Sequence, residues 1–238
     1  MKNKFEILEW DSTFFGLKVA KVNHFDSIEE FDVIKKELTS NQVELAYIFS
    51  LPNSKMDAIL KNEQVFLADE KVTFARMITE FELEGEVDVI EEYNDANVTD
   101  KMLDIAIQTS EFSRFRIDTN FREDAFKKLY HQWIKNAVEH QGNGKLFVCQ
   151  DNHVLKGLVY LKEIDETKGS ISLIGVDQGY RGEQIGTKLI HQAVFYFSKL
   201  GKKEVQVVTQ KANMLACNFY TKNGFQIIDT VNVYHLWV

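Results

Sequence analysis

The chain has 238 residues, of which 45% are apolar and 12% aromatic, so it can bury a sizeable core as one large domain or two small ones. Its 28 Lys and Arg residues stand against 36 Asp and Glu residues, and the formal charge of −8 argues against nucleic acid or an anionic membrane surface as the main partner. An anionic ligand would therefore have to be bound locally.

No run approaches the roughly 18 apolar residues of a membrane span, and no signal peptide precedes Phe5. We therefore expect a cytoplasmic protein. The two cysteines, Cys149 and Cys217, lie in apolar segments without metal-type spacing, so we expect buried packing for both and no bound metal.

The first part of the chain alternates short apolar runs with helical patterns. We predict strands near 5–10, 17–22, 45–50 and 65–77, and helices near 28–39 and 54–62. Residues 80–100 then contain nine acidic residues and no Lys or Arg, which indicates a solvated edge or a linker. We therefore predict a small α/β domain over residues 1–90 and a second domain over residues 91–238.

The second domain begins with helices. Thr99 can cap a helix through about residue 108, and a polar and aromatic loop at 111–118 leads to a second helix. One buried face of this second helix is predicted from apolar residues at helical spacing: Phe126, Leu129, Tyr130, Trp133, Ile134, Ala137 and Val138. We then predict strands at 145–150, 154–163 and 170–176, a helix at 183–200 closed by Gly201, a strand at 204–209, a helix at 213–222, and final strands at 225–230 and 233–238.

Residues 170–186 are the most informative stretch, because an apolar strand runs into a glycine-bearing loop that opens directly into an amphipathic helix. A helix start presents backbone N–H groups without intrahelical partners and a partial positive charge, and so it can bind a diphosphate. Gly182 and Gly186 would let the backbone come close. The glycine spacing matches neither the dinucleotide motif nor the P-loop.

The segment Arg181-Gly182-Glu183-Gln184-Ile185-Gly186 resembles the acetyl-CoA loop, Arg/Gln-x-x-Gly-x-Gly/Ala, of the GNAT superfamily of N-acetyltransferases. The predicted order ααβββαβαββ is also the GNAT order. Gln184 replaces the inner glycine, which we expect to be tolerated because this residue need not have a positive φ. The resemblance implies an α/β GNAT fold, a mixed and splayed central sheet flanked by helices, after the small α/β N-terminal domain. By itself, the loop could also be an ordinary strand-to-helix connection.

By this resemblance, the backbone of Ile174 and Val176 pairs with the pantetheine arm of acetyl-CoA, and the N–H group near Val176 polarises the thioester carbonyl. The diphosphate is received by the loop residues Arg181, Gly182, Glu183, Gln184, Ile185, Gly186 and Thr187. The general base stays open between Glu163, His153 acting through water, and no dedicated base.

The segment from Asn213 to Phe225 resembles a second superfamily signature, Asn-x-x-Ala-x-x-Phe-Tyr-x-x-x-Gly-Phe. The resemblance implies that Asn213 caps the short helix on the cofactor side and that Tyr220 protonates the departing CoA thiolate. The alternative for Tyr220 is a core residue whose hydroxyl is satisfied locally.

Three further segments, Leu8 to Gly16, Ser113 to Asp118 and Val233 to Trp237, resemble the dTDP-fucosamine acetyltransferases and related nucleotide-sugar N-acetyltransferases of bacterial surface-polysaccharide and lipopolysaccharide synthesis. This implies a homodimer that acetylates the amino group of a dTDP-linked amino-deoxysugar. Arg114 and Arg116 could then bind the sugar-nucleotide diphosphate, and Phe112 or Phe115 could stack on a ring.

Alternatives to this acceptor stay open. The two arginines could instead pair with the acidic linker, and the aromatic residues could be core. Two other functions also fit the sequence: acetylation of another amine, such as a protein N-terminus, a polyamine or an aminoglycoside, and a sensor that binds acyl-CoA without turnover.

Overall fold

A computed structural model describes residues 4–79, 89–139 and 144–238. The chain forms two compact units, one of Met1–Val72 with Asp229–Val238 and one of Thr73–Ile228. It passes between them within two strands, after Val72 and after Ile228. The predicted boundary at residue 90 stays a prediction, and Glu80, Glu82, Glu84, Glu86 and Asp88 of the acidic stretch lie outside the described residues.

The first unit is a small mixed sheet with helices. Its elements are β1 (Phe5–Ile7), α1 (Glu9–Phe15), β2 (Val19–Val22), α2 (Ile28–Ser40), β3 (Leu45–Ser50), α3 (Lys55–Asn62), the start of β4 (Phe66–Met77) and the end of β10 (Gln226–Trp237). The strand order is β1-β2-β3-β10, with β2 and β3 parallel and the other neighbours antiparallel. Phe31, Ile34 and Leu38 of α2 are buried in its core, as their helical spacing predicts.

Two predictions about this unit are wrong. The strand predicted over 5–10 ends at Ile7, because α1 follows at once, stabilised by the Ser12 hydroxyl, which donates to Leu8 O (2.7 Å) and accepts from Val19 N (3.0 Å). The two final strands predicted at 225–230 and 233–238 are one strand, β10. Asn232, which lies between them, pairs with Ser50 in the ladder, so the strand continues through it.

The second unit contains the predicted helices and strands of the C-terminal half. Its elements after β4 are β5 (Ile90–Glu92), α4 (Asp100–Gln108), α5 (Arg114–Ile117), α6 (Ala125–Val138), β6 (Gly144–Asp151), β7 (Val154–Glu163), β8 (Lys168–Val176), α7 (Ile185–Lys199), β9 (Glu204–Gln210) and α8 (Met214–Lys222). Thr99 caps α4 by accepting from Met102 N (3.2 Å), as predicted. The loop expected at 111–118 contains the short helix α5, and Trp133, expected in the buried face of α6, is 38% exposed.

The strands of the second unit form a mixed sheet in the order β4-β9-β8-β7-β6-β5. Strands β5 to β8 are antiparallel neighbours, and β8 runs parallel to β9. The ladder between β8 and β9 joins Lys168–Ile171 to Glu204–Val207. In the described part of the chain, β8 then runs on to Val176 paired with β7 alone. The two parallel strands therefore separate after Ile171, as predicted for a splayed sheet.

Within residues 4–79, 89–139 and 144–238, no helix combines the length and the apolar character that crossing a lipid bilayer requires.

Candidate functional site

The end of β8 presents an open backbone edge. Asp177 N donates to Lys156 O beside β7 (2.9 Å), and backbone groups alternate in direction along a strand. The N–H and C=O groups of Val176 and Ile174 therefore point away from β7, toward the gap that opens between β8 and β9. Arg181 Nε donates to the outward carbonyl of Val176 (3.3 Å). An extended ligand can pair with this edge as an added strand would.

A short 3-10 turn, Gln178–Tyr180, connects this edge to the loop. The Asp177 carboxylate caps the turn by accepting from Gly179 N (2.9 Å). Asp177 is buried, and it forms an ion pair with Lys101 of α4 that holds the pKa of the Asp177 carboxyl below its usual range. The carboxylate is therefore charged at neutral pH, and it holds the backbone directly after β8 in place.

The loop that follows turns through two left-handed residues. Gly182 has φ +91°, and a side chain there would project into open space. Gln184 has φ +63°, so the expectation that this position does not need a positive φ is wrong. The missing inner glycine therefore leaves a strained residue directly before α7, because left-handed φ costs a residue with a side chain about 1–2 kcal/mol.

Helix α7 begins at Ile185, two residues later than predicted, with its first turn uncapped by the side chain of Gln184. Lys188 N is the first amide of the helix to bond back, to Gln184 O (3.0 Å). The amide groups of Ile185, Gly186 and Thr187 come before the repeating helical bonds, so their N–H groups can donate hydrogen bonds to an anion. The exposed loop residues Arg181, Gly182 and Glu183 lie next to them.

Gly186 packs against the next helix, and its expected part in ligand binding stays a prediction. A Cβ atom at this position would come within 3.1 Å of the Phe219 ring on α8. The glycine therefore allows close packing of α7 on α8, and a side chain there would first displace Phe219. Gly182 has open space beside its Cα atom, as a close approach of the backbone to a ligand would require.

Tyr220 lies in an aromatic cluster on α8. Asn213 caps this helix by accepting from Ala216 N (3.1 Å), as predicted. The Tyr220 ring is 5% exposed and contacts the rings of Phe74, Phe219 and Phe225 at 5.5 to 5.9 Å between centroids. Burial raises the pKa of Tyr220 well above its usual range. The phenol is therefore protonated at neutral pH and can donate a hydrogen bond.

The two candidate bases lie at different ends of the sheet. Glu163 is opposite Gly169 in the ladder, while Gly157 is opposite Val176, so seven residues of β8, roughly 23 Å, separate Glu163 from the open edge. Glu163 is also paired with Lys202 (2.5 Å). The sheet geometry therefore argues against Glu163 as the base. His153, in the turn before β7, is exposed at the same end as Val176.

The predicted acceptor residues lie on α5. The Arg114 guanidinium lies 4.5 Å from the centroid of the Phe115 ring, and the Arg116 guanidinium lies 5.1 Å from that of Phe126. Arg116 Nη1 also donates to Ser110 Oγ (3.4 Å). Phe115 is 8% exposed and packs edge to face on Phe121, so its ring supports Arg114 from within the core.

Gln108 also belongs to this site, although no sequence pattern points to it. It ends α4, and its side-chain amide bonds to Asp177, Gln178 and Arg181. The only local signal is its position at the C-terminal end of a predicted helix, which does not point to a loop some 70 residues later in the chain.

Residues 105–225, just over half of the chain, match the acetyltransferase (GNAT) family. The chain is 24% identical to a mycothiol acetyltransferase of Propionibacterium freudenreichii over 111 residues, 45% of this chain and 34% of that protein. It is 22% identical to the spore coat polysaccharide biosynthesis protein SpsD of Bacillus subtilis over 139 residues, 58% of this chain and 47% of that protein. The chain thus spans between a third and a half of the length of these relatives.

Solved structures share the fold. A GCN5-related N-acetyltransferase from Sphaerobacter thermophilus superposes with a TM-score of 0.60 at 11% identity, covering 98% of this chain and 76% of that one. The predicted mixed α/β GNAT fold is thereby confirmed.

Proposed function

We propose, since the chain belongs to the acetyltransferase (GNAT) family, that it transfers the acetyl group of acetyl-CoA to the amino group of a nucleotide-linked amino-deoxysugar. The family assignment supports the acyltransferase activity and the use of acetyl-CoA. The observation that carries the proposal is the open edge of β8, which ends beside an uncapped helix start.

The residues present fit acetyl-CoA as the donor substrate. Ile174 and Val176 offer outward backbone groups to the amides of the pantetheine arm. The Gly182 backbone, the first amides of α7 and the Arg181 guanidinium offer donors to the diphosphate. Asn213 holds the start of α8 in place.

The chemistry in this proposal is direct transfer. The amine nitrogen forms a bond to the thioester carbon while the carbon–sulfur bond breaks, and the Val176 N–H stabilises the developing oxyanion. Tyr220, whose phenol carries its proton at neutral pH, donates that proton or a hydrogen bond to the CoA thiolate. The amine loses its proton to water, either directly or through His153.

The acceptor assignment is supported by α5. Arg114 and Arg116 are each held against an aromatic ring, and a guanidinium fixed in this way suits the diphosphate of a nucleotide sugar. The similarity to a spore coat polysaccharide biosynthesis protein favours a sugar acceptor. The dTDP carrier, the homodimer and the cytoplasmic location are expectations that come with the sequence resemblance.

The test is turnover on defined acceptors. Purified protein is incubated with acetyl-CoA and a panel of dTDP- and UDP-linked amino sugars, free amino sugars, polyamines and an N-terminal peptide, and products are identified by mass. We expect one acetyl group to be added to a nucleotide-linked amino sugar. Preference for a free sugar, polyamine or peptide would overturn the acceptor assignment, and acetyl-CoA binding without turnover would favour a sensor.

A further inference from the structure

The C-terminal end of α4 is joined to the β8–α7 loop by a single side-chain amide. Gln108 Nε2 donates to Asp177 Oδ2 (3.2 Å), and Gln108 Oε1 accepts from Gln178 N (2.9 Å) and from Arg181 Nη2 (3.4 Å). A second contact, from Gln108 Nε2 to Asp104 Oδ2 (3.1 Å), fixes the amide from its own helix. Both the donor and the acceptor of this side chain are therefore in use.

The groups that Gln108 holds are those that shape the loop. Asp177 is buried. It follows β8 directly and caps the 3-10 turn. Arg181 is exposed, and its Nε atom donates to Val176 O on the open edge. Gln108 thus bonds to the start of the loop at Asp177 and to the Arg181 guanidinium in the middle of the loop.

We propose that Gln108 is a positioning residue for acetyl-CoA binding, which holds the Arg181 guanidinium in the arrangement that receives the diphosphate. This inference rests on the proposed function. It assigns to α4 a part in donor binding in addition to its place before the acceptor residues of α5.

The physical reason is preorganisation. A free arginine side chain samples many rotamers, and that freedom is lost when it binds an anion. The contact with Gln108 restricts the guanidinium before binding, so less entropy is lost on binding. A glutamine suits this task because one planar group donates to the Asp177 carboxylate and accepts from Arg181 and Gln178 at the same time. Leucine can make neither contact, and glutamate would face Asp177 with a second carboxylate.

The first arm of the test measures CoA affinity by calorimetry. We expect Gln108→Leu to weaken CoA binding about tenfold, while kcat at saturating acetyl-CoA and the acceptor KM stay within twofold of wild type. Gln108→Glu, which keeps the size of the side chain, should also weaken binding. The matched control is Gln132→Leu, which removes a helix glutamine that bonds only to Asn136 (2.8 Å) among the contacts described for it, and CoA affinity should be unchanged.

The second arm is a double-mutant cycle with Arg181→Ala. If Gln108 acts by positioning Arg181, Gln108→Leu costs about tenfold in the wild type and less than threefold in the Arg181→Ala background. An equal loss in both backgrounds, or no loss in either, overturns the inference. These outcomes overturn the inference alone, because the wild-type protein still binds CoA in them. A wild-type protein that binds no CoA would overturn the proposed function.

Discussion

Gln184 shows how a single residue departs from the pattern of its loop at a cost in strain. Its left-handed conformation, φ +63°, is one that glycine adopts freely and that a side chain opposes. The loop keeps its course because β8, the 3-10 turn and α7 fix it on both sides. The glutamine side chain makes no cap to α7 in return, so the described contacts of this residue do not offset the strain.

Replacing this residue should therefore stabilise the protein. We expect Gln184→Gly to raise the free energy of unfolding by about 1 kcal/mol, because the strain of the left-handed backbone is removed. Thermal denaturation measures the change, and CoA affinity should be kept. Gln184→Ala is the matched control, since alanine retains the Cβ atom and the strain. A glycine variant less stable than the alanine variant would contradict this account.

Tyr220 leads to a prediction about rate. We expect Tyr220→Phe to lower kcat on the order of 100-fold with CoA affinity nearly intact, because phenylalanine keeps the ring packing and removes only the hydroxyl. Burial raises the pKa of the tyrosine, so ionisation of this residue should not limit the wild-type rate between pH 6 and 9. The pH–rate profiles of the wild type and of Tyr220→Phe measure both the loss of kcat and the pH dependence of the wild-type rate.

The control for this change is Tyr196→Phe. Tyr196 of α7 packs edge to face on Phe147 of β6, and burial raises the pKa of Tyr196 too, but the proposal gives Tyr196 no part in the chemistry. A Tyr220→Phe variant with wild-type kcat would assign thiolate protonation to another group or to water.

At the scale of elements, α3 and β10 of the first unit are joined by a buried carboxylate. Asp57 is 1% exposed, and it accepts from Asn232 Nδ2 (2.7 Å), Tyr234 Oη (2.6 Å) and Lys61 Nζ (2.8 Å). Burial by itself would raise the pKa of Asp57, but these donors outweigh it and lower the pKa from 3.8 to about 2. The network therefore favours the ionised form in the folded protein.

This shift predicts how stability depends on pH. Because the pKa of Asp57 is lower in the folded than in the unfolded chain, its contribution of about 2 kcal/mol is complete above pH 4 and is lost as pH falls toward 2. We expect Asp57→Asn to lower the urea midpoint at pH 7 and to flatten its pH dependence. The exposed acid Asp165 provides a control, since Asp165→Asn should change the midpoint much less. An unchanged pH dependence in the Asp57 variant would contradict this assignment.

The elements also show what the sequence could predict. Strand β3 and the cap of α4 follow from local signals, an apolar run at 45–50 and Thr99, and the structure confirms both. Helix α1 was missed because Ser12 and Val19 stabilise it by a contact between elements. The loop of the site was predicted because its signal is contiguous. The part of Gln108 in the site could not be predicted, because its side-chain amide bonds to the β8–α7 loop, and only the fold brings that loop next to α4.

At the scale of the whole molecule, the net charge of −8 disfavours the approach of an anionic acceptor. The overall field does not attract a nucleotide sugar, so its binding would depend on local cations such as Arg114 and Arg116. A charge-assisted contact of this kind contributes about 1.5–3 kcal/mol.

We therefore expect Arg116→Ala or Arg114→Ala to raise the acceptor KM roughly 10- to 100-fold and to leave the acetyl-CoA KM unchanged. Lysine should rescue poorly, because it keeps the charge and loses the bidentate geometry. Steady-state kinetics with each substrate varied in turn measures the effect. Normal turnover of a nucleotide-linked amino sugar by both alanine variants would remove the arginines from the acceptor site.

The course of the chain makes the first unit discontinuous in sequence, with more than 150 residues inserted between its two parts. Its last strand supplies Asn232 and Tyr234 to Asp57, so the most C-terminal residues complete a core that begins at the N-terminus. A fragment that ends at residue 90 would keep Asp57 but lose its partners Asn232 and Tyr234. Deleting Asp229–Val238 should accordingly unfold the N-terminal unit, which protease digestion would show as cleavage within residues 4–72.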